Sequence, residues 1–378
     1  AATATTEENT ALTGQVPTAT DVDGTIASYA LDTGVGQGNG SLSFNADGSY
    51  SFTPGIDFDS LAAGESREVT FSYTATDNDG GVSEPKTLTI TVTGTNDVPI
   101  AQAATATTEE NAVLSGQVPA ATDIDGTIAG YDLATDIGTG NGSLTFNADG
   151  SYSFAPGADF DSLAAGESRE VTFSYTATDN DGGVSEPKTV TITVTGTNDA
   201  PVAVADTQTT SENSVLSGQV PAATEVDGTI AGYDLATDVG AGNGSLAFNA
   251  DGSYSFTPGA NFDSLAAGES RDVTFSYTAT DNAGGVSEPK TVTITVTGTN
   301  DAPVAVADTQ ATGENTVLSG QVPAATDVDG TIVGYDLSTD VGAGNGSLTF
   351  NADGSYSFTP GTDFDSLAAG ESRDVTFS

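Results

Sequence analysis

Residues 171–176 and 190–195 alternate between apolar and small polar side chains. Val171, Phe173 and Tyr175 are separated by Thr172, Ser174 and Thr176, and Val190, Ile192 and Val194 by Thr191, Thr193 and Thr195. A period of two in β-branched and aromatic residues predicts half-buried strands. Leu144-Thr145-Phe146 and Tyr152-Ser153-Phe154 flank Asn147-Ala148-Asp149-Gly150-Ser151. The Asp-Gly pair there predicts a hairpin, because glycine accepts the positive φ of a tight turn. Further short strands are expected near 112–118 and 127–134. One helical turn is expected over Asp161-Ser162-Leu163-Ala164-Ala165, with Gly166 as its stop. About seven short strands punctuated by turns predict an all-β fold, a two-sheet antiparallel β-sandwich.

The pattern repeats. FNADGSYSF occupies 44–52, 146–154, 248–256 and 350–358, a spacing of 102 residues each time. That period is too long for a solenoid unit and fits a string of separate domains. Boundaries follow from T-G-T-N-D-x-P, where proline stiffens a short linker. The expected repeats are 1–97, 98–199, 200–301 and 302–378, the last lacking the counterpart of Tyr73 onward and therefore incomplete. End to end, such sandwiches would approach about 150 Å at roughly 3.3 Å per strand residue.

Charge and composition narrow the chemistry. The 378 residues include 53 Asp and Glu against 7 Lys and Arg, a formal charge of −46. Nucleic acid is excluded as a direct partner, since phosphate binding needs a basic surface, and anionic lipid is disfavoured. There is no Cys, so no disulfide or thiolate metal site, and no His, the usual general base and zinc ligand. Calcium is the common metal that carboxylates and carbonyls can hold without help. No apolar run is long enough to cross a bilayer. With no initiator Met and no signal peptide at Ala1, the chain reads as an internal stretch of a longer protein.

Acidic elements recur in every repeat. One is an E-N pair, at Glu8, Glu110, Glu212 and Glu314. A second is the turn A-T-D-x-D-G, with Asp21 and Asp23, Asp123 and Asp125, and Asp327 and Asp329; Glu225 and Asp227 stand there in the third repeat. A third is A-T-D-N-D-G-G, headed by Asp77, Asp179 and Asp281, where Ala283 replaces the second acid of the third repeat. Alternate carboxylates in a tight Gly-closed turn can converge on one ion. The same residues also make ordinary Asp-capped turns. An EF-hand register fails: it puts Ala19 and Ala30, or Ala75 and Lys86, where the first and last ligands belong. The case for Ca2+ rests on four acidic elements per period, the linker included, on a chain whose like charges repel.

Together, Glu-Asn, A-T-D-x-D-G, A-T-D-x-D-G-G and the N-D-x-P linker resemble the calcium elements of cadherin-type domains. The wider text, from G-S-L-x-F-N-A-D-G-S-Y-S-F to T-V-T-I-T-V-T-G-T-N-D-A-P, resembles the VCBS/cadherin-like repeats of RTX-type bacterial adhesins. That resemblance implies tandem immunoglobulin/cadherin-like sandwiches with calcium at the junctions. It places at the first junction Glu8, Asn96, Asp97, Asp123, Asp125 and Asp179. At the second it places Glu110, Asn198, Asp199, Glu225, Asp227 and Asp281, and at the third Glu212, Asn300, Asp301, Asp327 and Asp329. Asp21, Asp23 and Asp77 are the equivalent acids of the first repeat. The family's linker carries one more acid ahead of Asn-Asp, where this chain has Gly94 and its equivalents, so the ion count per junction stays open. Glu225 is a longer carboxylate that still ligates, and Ala283 removes an oxygen.

The glycine-rich segment 34–40 fails the spacing of a phosphate loop and is followed by no lysine. Asp57 with Asp59, and Asp159 with Asp161, lack the aromatic cleft of a glycosidase. The expected function is therefore non-enzymatic: an extracellular extender on a bacterial surface, rigidified by calcium, that projects a distal binding domain for adhesion or biofilm formation. Its partners are neighbouring repeats, with surface ligands met through other domains. The alternative is a repeat module that itself binds glycan or protein.

Overall fold

The computed structural model describes residues 2–378. The first repeat carries β1 (Ala2–Glu7), β2 (Leu12–Gln15), β3 (Ile26–Thr33), β4 (Gly40–Phe44), β5 (Ser49–Pro54), β6 (Ser66–Asp77) and β7 (Lys86–Thr93). They form a four-stranded sheet in the order β1-β7-β6-β3 and a three-stranded sheet in the order β2-β5-β4. All pairs are antiparallel except β1 with β7, the first and last strands, which run parallel from Ala2 opposite Leu88 to Glu7 opposite Thr93. The same strands and pairings return from Ala104–Glu109 to Lys188–Thr195 and from Asp206–Ser211 to Lys290–Thr297. In the fourth repeat the described residues form only the three-stranded sheet of Leu318–Gln321, Gly346–Phe350 and Ser355–Pro360.

Alternation dictates which face each strand buries. Along Ser168–Asp179, Val171, Phe173, Tyr175 and Ala177 point inward, and along Lys188–Thr195 so do Val190, Ile192 and Val194. Tyr152 and Phe154 close the core from the opposite sheet, with the Tyr152 and Phe173 rings edge to face at 5.1 Å. The intervening threonines suit the outer face because β-branching fits a pleated surface. The hairpin forms where Asp149-Gly150 predicts it. Gly150 adopts φ +83°, and Asp149 Oδ1 accepts from the Ser151 amide at 2.9 Å and hydroxyl at 2.6 Å.

Two compact units result, one up to Asn198 and one from Asp199 onward. In the first, one core gathers around Phe52, Phe71 and Ile90, another around Phe154, Phe173 and Ile192. The second unit has a core around Phe256, Phe275 and Ile294 and a smaller one around Val341, Phe358 and Phe364.

One expectation needs correction. Residues 161–165 are not helical: Leu163 N bonds Phe160 O and Glu167 N bonds Ala164 O, which are separate turns. Gly166, at φ +84°, turns its amide to Gly196 O across the repeat instead of capping a helix. Among the described residues the one 3-10 turn, Thr362–Phe364 in the fourth repeat, lies just ahead of the equivalent segment. A strand that the sequence reading did not anticipate also forms, Ala104–Glu109, whose inward residues Ala104, Ala106 and Thr108 are too small to give a marked apolar period. Small side chains suffice there because the strand lies at the sheet edge.

The linker belongs structurally to the repeat that follows it. Ile100 and Thr122 exchange backbone hydrogen bonds at 2.7 and 3.1 Å, Ala101 is buried in the second core, and Tyr175 Oη donates to Gln102 O at 2.7 Å. In the second unit Val304 pairs with Thr326 in the same way.

Candidate metal centre

Glu8 follows β1 and continues its ladder through its own amide, which donates to Thr93 O at 3.0 Å. Its side chain is 4 % exposed. Oε1 accepts from the Thr95 amide at 2.6 Å and the Thr95 hydroxyl at 2.9 Å, whereas Oε2 is buried with no hydrogen-bond partner. Two residues on, the linker meets the second repeat. The Asp97 amide donates to Asp125 Oδ2 at 3.2 Å and Asn96 Nδ2 to Asp179 Oδ2 at 3.0 Å. Asp123 Oδ1 accepts from the Asp125 amide at 3.3 Å, leaving Asp123 Oδ2 and Asp125 Oδ1 buried and unpartnered. Asp179 heads its own turn, its Oδ1 accepting from Asp181 N at 2.8 Å and Gly183 N at 2.9 Å. Gly183 lets Asn96 Nδ2 and Asp179 Oδ2 approach this turn closely; a Cβ there would displace those side-chain ends.

The fold thus ties the linker to two turns, Asn96 to Asp179 and Asp97 to Asp125 with its neighbour Asp123, and brings Glu8 within electrostatic reach of Asp97. Like charges are felt among them. Burial, then Glu8, Asp59 and Asp123, push the Asp97 carboxyl above the usual range. Burial first, and Asp123 beside it, raise Asp125. Asp179 is lowered, first by the Asn96 amide. Asp59, weighed in the sequence only as half of a glycosidase pair, also lies within electrostatic reach of Asp97. Its signal was the F-D-S-L segment carried by every repeat at a fixed distance from the linker.

Within the second unit, Glu212 Oε1 accepts from the Thr299 amide at 2.6 Å and hydroxyl at 2.8 Å, and its Oε2 is an orphan. The Asp301 amide donates to Asp329 Oδ2 at 3.2 Å. Burial, then Glu212, Asp329, Asp263 and Asp327, raise Asp301. Asn300 differs from Asn96: it donates to Asp301 O at 2.8 Å. The remaining predicted acids keep the local geometry inside their own units. Glu110 Oε1 accepts from Thr197 N at 2.6 Å. The Asp199 amide donates to Asp227 Oδ2 at 3.2 Å, and Asp281 Oδ1 accepts from Ala283 N at 2.7 Å and Gly285 N at 2.9 Å. Glu225 Oε1 turns onto Val226 N at 2.9 Å, and Glu225 Oε2 and Asp227 Oδ1 are orphans. In the first repeat Asp77 Oδ1 accepts from Asp79 N at 2.7 Å and Gly81 N at 2.9 Å, Asp21 is half-buried, and Asp23 is exposed.

Ala283 removes less than the sequence implies. Its counterpart Asp181 is exposed and accepts from the Asn180 amide at 2.7 Å, while the turn itself is closed by Asp179. Among the described residues no three acidic side chains stand together as a ready-made metal cluster.

Residues 1–94, 96–196 and 198–298 match the model of the bacterial cadherin-like domain, and residues 300–378 that of the bacterial Ig domain. No curated protein matches the chain. Among solved structures, the protocadherin gamma B7 extracellular cadherin domains 1-4 share 14% identity at a TM-score of 0.46, covering 96% of this chain and 92% of that one. Mouse protocadherin-24 EC1-3 shares 15% at 0.42, covering 79% and 96%. Drosophila N-cadherin EC1-4 shares 18% at 0.35, covering 96% and 91%. No helix among the described residues is long and apolar enough to cross a membrane.

Proposed function

The chain belongs to the bacterial cadherin-like domain family, and from that premise we propose that it is a calcium-stiffened extender of a secreted bacterial surface adhesin. Cadherin-like tandem repeats point to an extracellular, adhesion-type protein, and such repeats are typically non-enzymatic. The finer reading adds three parts: repeats bounded at 97, 199 and 301, calcium at the linkers, and a distal domain held away from the cell for adhesion or biofilm formation.

One observation carries it. Glu8 Oε2, Asp123 Oδ2 and Asp125 Oδ1 are buried carboxylate oxygens without partners, beside an Asp97 that burial and neighbouring carboxylates make reluctant to ionise. A buried, unpaired anionic oxygen is costly and calls for a cation. The donor set is all oxygen, from carboxylates and one amide, which suits a hard cation of high and flexible coordination. Glu8, Asp59, Asp97, Asp123, Asp125 and Asp179, with Asn96 Oδ1, would hold it. Calcium supplies positive charge and a shared coordination shell. The chain's residues do the rest: Thr95 aims Glu8, the Asp97 amide aims Asp125, and Asn96 aims Asp179. Without the ion these carboxylates repel over a screening length of about 8 Å at physiological salt, and the linker samples more angles.

Small-angle scattering of the chain tests the stiffening. The maximum dimension is expected to change when chelator replaces calcium, while far-ultraviolet circular dichroism keeps its β signature. A dimension that ignores chelation would show that the linkers are not the metal sites. Magnesium is expected to substitute poorly, because it demands a tighter octahedron.

A further inference from the structure

We propose that the parallel pairing of the first and last strands in the first three repeats is a force-bearing clamp, and that Glu8, Glu110 and Glu212 are its latches. This rests on the reading of the chain as an extender, which carries tension between its ends.

The argument starts from direction. In the second repeat Ala104 lies opposite Val190 and Glu109 opposite Thr195, in unbroken parallel register. The third repeat pairs Asp206 with Val292 through Ser211 with Thr297. Tension pulls the first strand from its N-terminal end and the last strand from its C-terminal end. Two parallel strands loaded this way slide along each other, and the whole ladder must yield together. Strands pulled from the same end would peel one hydrogen bond at a time. The remaining strands lie between these two in sequence, so tension reaches them only after the clamp opens.

The latch sits where the load leaves the repeat. Glu110 N extends the ladder to Thr195 O at 3.0 Å. Its Oε1 then takes both the amide and the hydroxyl of Thr197, at 2.6 and 3.0 Å, beyond the end of the last strand. Asn111 Nδ2 adds a bond to Thr197 Oγ1 at 3.0 Å. Glu8 with Asn9 grips Thr95, and Glu212 with Asn213 grips Thr299, by the same bonds. The glutamate side chain is buried, at 4–5 % exposure in all three repeats, so water does not compete for these bonds. The fourth repeat shows no such strand pair among the described residues.

Single-molecule stretching of the full chain tests this, and chelator throughout separates it from any metal effect. Pulled by its termini, the chain is expected to give three high-force events, each releasing on the order of 300 Å of chain, with the fourth repeat yielding earlier. Glu110→Ala is expected to lower the force of one event. Glu110→Gln, whose Oε1 still accepts from Thr197, is expected to retain it. Because the chain has no cysteine, Gln102→Cys with Glu186→Cys gives unique handles at the same end of both strands. Pulling there peels the pair and is expected to open the second repeat at several-fold lower force. Equal force in both geometries would overturn the clamp. An unchanged force in Glu110→Ala would overturn the latch. Failure of the calcium reading alone would leave both results standing.

Discussion

The first and second repeats share the strand sequence S-R-E-V-T-F-S-Y-T-A-T-D, at Ser66–Asp77 and Ser168–Asp179, yet its last turn is environmentally different in the two. Asp179 is 3 % exposed and takes the Asn96 amide, whereas Asp77 is half-buried and bonds only its own turn. Tyr175 is fully buried and donates to Gln102 O, while Tyr73 keeps 6 % exposure. Asn96 to Gln102 lies over the second repeat, where the Asn96 amide meets Asp179 and Gln102 O takes the Tyr175 hydroxyl. A repeat of this kind is therefore finished by the segment that precedes it. The same segment brings Asp97 to the turn acids, so the packing contact and the candidate cation site form together.

The largest expected effect comes from removing the turn acid in each repeat. Asp77→Ala and Asp179→Ala both lose the turn's internal hydrogen bonds. Only Asp179→Ala also loses the Asn96 bond and a carboxylate of the candidate site. In calcium, hydrogen exchange is expected to show the second repeat weakened more than the first, by roughly 1–3 kcal/mol for a charge-assisted bond. Equal losses would mean that the linker contact contributes nothing.

A smaller contrast is expected at the tyrosines. Tyr175→Phe removes a hydrogen bond to Gln102 O and is expected to cost about 1 kcal/mol, whereas Tyr73→Phe is expected to cost the first repeat less. Thermal melting in chelator reads this without any contribution from bound metal.

The smallest effect is one the two repeats are expected to share. Asp47 and Asp149 sit in identical hairpins, and the Ser49 and Ser151 hydroxyls, then the amides of the same residues, lower both carboxyls. A lowered carboxyl binds its proton more weakly in the folded state. Its contribution is therefore present above the ordinary aspartate value of about 3.9 and is lost as pH falls through the lower, folded-state value. Amide exchange at Ser49 and Ser151 is expected to rise together in that acid window. A difference between them would show that the repeats diverge away from the linker as well.

Much of this was legible in the sequence. Alternation along Val171–Tyr175 and Val190–Val194 gave the inward faces, and Asp149-Gly150 gave the hairpin, because each is a local pattern with a local cause. The edge strand Ala104–Glu109 was not legible, since its inward alanines and threonine produce no hydrophobic period. The turn at 161–165 read as helical because Leu163, Ala164 and Ala165 favour a helix. Long-range bonds from Gly166 N to Gly196 O and from Gly196 N to Glu167 O decide otherwise. The acids were recognisable as repeated clusters. The resemblance to cadherin-type domains grouped them by junction, but two details needed the fold: Asp59 reaches the field of Asp97, and Asp181, two residues after Asp179, faces solvent.

Calorimetric titration of the full chain with calcium, beside Asp97→Ala and Asp125→Asn, is the most direct test of the proposed metal centre. The account predicts saturable binding to the parent chain, abolished by chelator, with the first-linker component lost or weakened at least tenfold in either variant, the equivalent of about 1.4 kcal/mol. No calcium-dependent heat in the parent chain, together with a melting temperature that chelator leaves unchanged, would contradict it.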